Sequence, residues 1–168
     1  MRIDLTEISE DERPVLDRLA QLYTYDFSEH DHGVVGEDGR FSAFDTRRYF
    51  VEPHRHAFFV RVDGKLAGFA LVHEAKAFRD TSERVWRIGE FFVMRAYRNR
   101  GVGERVATRL FERFGGTWEV SEVATNIGAQ TFWRKVIGRY TGGDYDEIEL
   151  DDNRWEGPVQ YFHADGRD

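Results

Sequence analysis

Apolar side chains recur at helical spacing in three stretches of this chain and alternate or cluster in several shorter runs between them. The clearest periodicity is Val102, Val106, Ala107, Leu110, Phe111 and Phe114, with Glu104, Arg105, Arg109, Glu112 and Arg113 on the opposite side. One apolar stripe at a period of about 3.6 predicts an amphipathic helix. Gly115-Gly116 ends it, since glycine readily takes the left-handed conformation on which helices stop. A second stripe, Ala129, Phe132, Trp133, Val136 and Ile137, predicts a helix over Asn126 to Ile137. A third, Val15, Leu16, Leu19, Leu22 and Tyr23, predicts a first helix over about residues 11 to 25, where Ser9-Glu10-Asp11-Glu12 has capping-box spacing and Pro14 is tolerated near the start. Strand-like runs cover Ile3 to Ile8, His56 to Val62, Leu66 to Val72, Arg84 to Met94, Thr117 to Val123, Tyr145 to Leu150 and Pro158 to His163. Asp63-Gly64 joins the second and third of these as a hairpin turn. Asp26 to Gly39 reads as a polar, acidic loop, and Asp45 caps a short helix through Val51 that stops before Pro53. The sum is an α/β chain with a central mixed, mostly antiparallel sheet of about six to seven strands, flanked by helices on both faces. Hairpins lie at both ends and one parallel crossover lies in the middle.

Composition narrows the setting. A chain of 168 residues with 40% hydrophobic content suits one domain, 1–168, with a sizeable core. The balance of 24 basic against 31 acidic residues, a net charge of −7, argues against general nucleic-acid binding. With no cysteine, disulfides, thiol nucleophiles and thiolate metal sites are excluded. Neither a signal peptide nor a membrane span is visible in the sequence, so a cytoplasmic location without membrane attachment is the default expectation.

The most telling local chemistry is Arg98-Asn99-Arg100-Gly101-Val102-Gly103, between the strand ending near Met94 and the strongest helix. Two glycines permit a tight turn and close backbone approach, and the first N–H groups of the following helix have no intrahelical partner. Those donors, at the positive end of the helix dipole, suit a phosphate. A P-loop is excluded because the Gly-x-x-x-x-Gly-Lys-Ser/Thr run is missing. A dinucleotide fingerprint fails as well, with Val106 in place of its third glycine.

This arrangement resembles the GNAT superfamily of acyl-CoA N-acyltransferases. The family pattern is Gln/Arg-x-x-Gly-x-Gly/Ala after a central strand, then a helix, a strand, and a helix opened by Asn. Arg98, Gly101 and Gly103 match the first part; Asn126, Ala129, Phe132 and Trp133 match the second. The resemblance implies a GNAT-like sheet, acetyl-CoA as co-substrate and no metal. It implies that Arg98, Asn99, Arg100, Gly101, Val102 and Gly103 hold the coenzyme A pyrophosphate. Phe92, Val93 and Met94 would line the pantetheine arm through backbone groups, with Asn126 contacting it and Trp133 packing against cofactor or core. It further allows homodimerisation through the terminal strands.

Acetyl transfer to an amine needs a neutral nucleophile, whereas a lysine-like amine, pKa about 10.4, is mostly protonated at neutral pH. Glu90 is a lone carboxylate in the row Trp86, Ile88, Glu90, Phe92, Met94 and is the candidate general base. A structural ion pair with Arg61 or Arg87 is the other role open to it. The backbone N–H groups of Phe92 to Met94 are candidate donors to the thioester oxygen. Many relatives carry a tyrosine acid where this chain has Trp133, whose indole cannot serve; Tyr140 is either a substitute or a core residue. Tyr23, Tyr25 and His73 are candidate acceptor contacts, and the acidic run Asp26, Glu29, Asp31 suits a cationic amine or solvent equally. The expected acceptor is a small-molecule amine or a peptide amine. Two rivals are a metal-dependent hydrolase built on His30-x-His32 and His54-x-His56, and a non-catalytic acyl-CoA-binding or regulatory module.

Overall fold

The computed structural model describes residues 1–166. Its elements in chain order are β1 (Ile3–Glu7), α1 (Arg13–Asp31), α2 (Arg48–Val51), β2 (Arg55–Val62), β3 (Lys65–Lys76), β4 (Arg84–Val93), α3 (Val102–Phe114), β5 (Gly116–Ser121), α4 (Ile127–Thr141), β6 (Asp146–Asp152) and β7 (Trp155–Ala164). The seven strands form one mixed sheet in the order β1-β2-β3-β4-β5-β7-β6. The chain divides into two units: Met1–Leu71 with Glu90–Arg98, and Val72–Gly89 with the chain from Asn99 onward.

In the first unit β1 runs antiparallel to β2, from Ile3↔Val62 to Glu7↔Phe58. β2 turns into β3 through Asp63 and Gly64, both at positive φ (49° and 79°), the backbone of a type I′ hairpin. Leu16 and Leu19 of α1 pack with Ala57, Phe59, Phe69, Leu71 and Phe92 from the strands, and Tyr23, Phe44, Tyr49 and Met94 cover that core. Gly68 is required on β3 because a Cβ there would lie 1.9 Å from the Phe92 carbonyl oxygen. The Ser9–Glu12 capping box forms, with the Ser9 N–H donating to Glu12 Oε2 at 3.1 Å, although Glu10–Glu12 is a 3-10 turn ahead of the α-helix.

Two local expectations are corrected. α1 continues to Asp31, six residues beyond its expected end near residue 25, so Asp26, Glu29 and Asp31 are helical and the loop begins at His32, in the left-handed region at φ 57°. Phe27 extends the apolar face, its ring 5.9 Å from that of Tyr23, whereas Leu22 falls off the face and is 51% exposed. Asp45 does not cap α2. Its Oδ1 accepts the Arg47 N–H in a turn one step earlier, and the helix is a single turn ending at extended Glu52, as expected before Pro53.

In the second unit, β4 and β5 are parallel with the registered pairs Trp86↔Trp118 and Arg87↔Glu119, connected through α3. β5 pairs antiparallel with β7, which pairs antiparallel with β6. The core is aromatic: Phe111 meets Trp118 and Phe162 edge-on at 5.0 and 4.9 Å. Glu119 is fully buried but satisfied, receiving Arg87 Nη2 at 2.7 Å and the Phe78 N–H at 2.9 Å.

Candidate active site

After β4 the chain makes a short 3-10 turn, Arg95–Tyr97, passes through extended Arg98, and enters α3 by way of two left-handed residues, Asn99 (φ 58°) and Gly101 (φ 76°). Asparagine and glycine are the residues that hold this conformation most easily. Gly101 precedes the first helical residue and gives no side-chain cap, and among the described residues nothing but its own chain neighbours lies within 4 Å of where its Cβ would stand. The first-turn N–H groups of α3, beginning at Val102, stand at the positive helix end without a capping side chain from Gly101. Those features fit a phosphate-bearing ligand. Arg100 is exposed beside them.

Arg98 turns the other way. Its Nε donates to the Val93 carbonyl at 2.7 Å and its Nη2 to Asp26 Oδ2 at 2.6 Å. Arg95 Nε donates to Asp26 Oδ1 at 2.9 Å. Burial opposes ionisation of Asp26, but the hydrogen bonds from Arg98 and Arg95 outweigh it and hold the carboxyl below its ordinary value. At the end of β4 the Met94 N–H donates to the Ala67 carbonyl at 2.8 Å, so it is committed to the sheet. Phe92 is buried in the first unit's core.

Glu90 is half-buried, and burial pushes its carboxyl up to about 7, with the Tyr23 hydroxyl pulling weakly in the other direction. Tyr23 is set by four rings, Phe27, Phe44, Phe69 and Phe92, at 5.7 to 5.9 Å. Burial, then the Glu90 charge, raises the Tyr23 hydroxyl well above its ordinary value, and burial pushes Tyr49 up to about 12. Both phenols stay neutral while Glu90 titrates near neutrality. Neither arginine offered as an ion-pair partner goes to Glu90: Arg87 pairs with Glu119, and Arg61 Nη1 donates to the Gly64 carbonyl at 3.3 Å.

The other sequence candidates have definite places. Asn126 caps α4, its Oδ1 accepting the Ala129 N–H at 2.9 Å. Trp133 is 5% exposed, with its ring near those of Phe132 and Phe111 at 4.9 and 6.5 Å. Tyr140 is half-buried, with its ring 5.3 Å from that of Phe111 and its hydroxyl 3.5 Å from the Asp165 carbonyl. Tyr25 is 66% exposed, and His73 is half-buried on β3 in the second unit. Of the histidine pairs, His30 lies against Phe27 and His56 Nδ1 is 3.6 Å from Glu7 Oε1. Among the described residues no three His, Asp or Glu side chains form a metal-holding group. An open hollow of about 990 Å³ lies along α1, lined by Asp17, Gln21, Val35, Phe41 and Thr46 among others; neither Glu90 nor Tyr23 borders it.

Two charged groups have surroundings that the sequence did not reveal. Asp26 is one, because the arginines that meet it stand about 70 positions along the chain. Glu122 is the other: it is 4% exposed, and among the described residues neither carboxyl oxygen, like Gln160 Oε1, has a hydrogen-bond partner within normal distance and angle. Burial pushes its carboxyl up to about 8. A glutamate just past an apolar strand was the available signal.

Comparison with known proteins follows this geometry. An acetyltransferase from Thermus thermophilus superposes with a TM-score of 0.68, at 13% identity over 97% of each chain. A GNAT acetyltransferase from Streptococcus agalactiae 2603 gives 0.64, at 14% identity over 99% of this chain and 96% of its own. An aminoglycoside acetyltransferase from an uncultured soil metagenomic sample gives 0.54, at 16% identity over 80% of this chain and 86% of its own. The fold is thus that of acetyltransferases. The acetyltransferase (GNAT) family model matches residues 15–138, and the chain belongs to that family. No curated protein matches the chain.

Proposed function

We propose that this protein is an N-acetyltransferase that moves an acetyl group from acetyl-CoA to a primary amine by direct attack, with Glu90 as general base. Membership of the family supports acyl transfer, and the observation that carries the finer reading is Glu90: a half-buried carboxylate with a pKa of about 7, free of both candidate arginines. A base poised there accepts a proton from an ammonium while staying about half ionised at neutral pH. The thioester supplies the acyl group. The first-turn N–H groups of α3, together with Asn99, Arg100, Gly101, Val102 and Gly103, would hold the pyrophosphate. Backbone groups of Phe92 and Val93 would face the pantetheine arm. A thiol of pKa about 8.5 departs without a strong acid, so the burial of Trp133 and the packing of Tyr140 do not obstruct the reaction.

Tyr23, hydrogen-bonded to Glu90, would meet the acceptor beside it. Asp26 gives a cationic acceptor little help, since both its oxygens are taken by arginines. The test is thiol release from acetyl-CoA across amines, aminoglycosides, amino acids and lysine peptides. At least one acceptor is expected to release thiol, and Glu90→Gln to lower turnover with it by roughly 100-fold or more while coenzyme A still binds. Coenzyme A binding with no thiol release from any acceptor would turn the reading toward a binding module.

A further inference from the structure

Resemblance alone makes Arg98 a phosphate ligand, yet its guanidinium is already in use. The planar fork spans two acceptors at once, the Val93 carbonyl through Nε and Asp26 Oδ2 through Nη2, and its carbon centre lies 5.8 Å from the middle of the Phe92 ring. Both Asp26 oxygens are engaged by arginines, since Oδ1 accepts from Arg95. A phosphate approaching Arg98 would meet a cation neutralised by a carboxylate. These groups come from the C-terminal part of α1, the end of β4 and the short turn that follows it, all inside the first unit.

We infer that Arg98 is a positioning residue: clamped by Asp26 and the Val93 carbonyl, it fixes the backbone from which the glycine turn departs, and leaves the phosphates to backbone N–H groups and Arg100. This rests on the reading that the turn holds coenzyme A. Charge-assisted bonds to two acceptors need the guanidinium fork, and a lysine ammonium cannot reproduce it. Fixing the turn before the ligand arrives lowers the ordering cost of binding, so the clamp acts on affinity.

The test is calorimetric titration of the full chain with coenzyme A, joined to steady-state kinetics on the best acceptor. Arg98→Ala, Arg98→Lys and Asp26→Asn are each expected to weaken coenzyme A binding by about tenfold, and the double variant Asp26→Asn/Arg98→Ala to be no worse than either single one. KM for acetyl-CoA should rise in step while kcat at saturation changes less than about twofold. Arg95→Ala, which removes a 74% exposed cation from the same carboxylate, should leave affinity unchanged. The inference is overturned if Asp26→Asn tightens binding, or if Arg98→Lys retains wild-type affinity while Arg98→Ala loses it. Either result would make Arg98 a phosphate ligand. A parallel melting curve for each variant identifies affinity lost through unfolding, and Arg98→Lys with a wild-type melting temperature decides the case by itself. Wild-type protein that fails to bind coenzyme A overturns the underlying reading, and the inference with it.

Discussion

Glu90 gains its chemistry from what surrounds it. A carboxylate on a solvated strand would titrate near 4.3, far too acidic to take a proton efficiently from an amine. Here burial lifts it to about 7, and the phenols near it are held neutral, so it is the group beside Tyr23 that changes charge across physiological pH. If it is the base, log kcat/KM should rise with pH at unit slope and level off above about 7. Tyr23→Phe, which removes the hydroxyl that pulls the Glu90 pKa down, should move that limb to higher pH. A profile with no inflection between about 6 and 8 in the wild type would separate Glu90 from the rate. The sequence exposed Glu90 through its lone position in an apolar row. Its choice between base and ion pair depended on where Arg87 and Arg61 went, and Arg87 went to Glu119.

At the scale of elements, α3 and α4 were legible because each carries a full apolar stripe and a distinct start or stop. Asn126 shows how an element constrains the role of a residue. Its side-chain oxygen satisfies the Ala129 N–H, one of the donors that every helix start leaves open. Asn126→Ala should therefore cost about 1 kcal/mol of stability in urea denaturation, and Asn126→Ser or Asn126→Asp should restore most of it. If alanine leaves stability unchanged and only coenzyme A affinity falls, the side chain serves the ligand and not the helix. α1 was legible at its start, through the Ser9–Glu12 box, and illegible at its end. Residues 26 to 31 are polar enough to read as loop, and they stay helical because Phe27 packs on Tyr23 and two arginines hold Asp26.

Across the whole molecule, buried carboxyls set the response to pH. Glu122 and Glu90, pushed up to about 8 and 7, keep their protons in the folded chain at pH values where the unfolded chain has released them. The folded state then binds more protons, so stability falls as pH rises from about 4.5 to about 8, by at most about 1.4 kcal/mol per pH unit for each group. Asp26 and Glu147, held low with arginine hydrogen bonds, act oppositely: their stabilisation is present above the ordinary carboxylate range and is lost as pH falls through it. A stability maximum on the mildly acidic side of neutrality is the expected outcome of denaturant titrations across pH. Glu122→Gln should flatten the alkaline side, and an unchanged alkaline slope would show that Glu122 is already ionised in the folded protein.

What the sequence determined by itself was local: stripes at helical period, alternation along strands, the Asp63-Gly64 and Gly101 turns, and the start of a helix at Asn126. Each follows from the conformational preferences of residues a few positions apart, and the same local pattern was specific enough to indicate the family. Tertiary structure decided whatever depends on partners far apart in the chain. It placed β7 between β5 and β6, paired Arg87 with Glu119, buried the Glu122 carboxyl, and turned Arg98 from the glycine turn toward Asp26. Burial and charge pairing are properties of assembled space, so no window of the sequence holds the distances that set them.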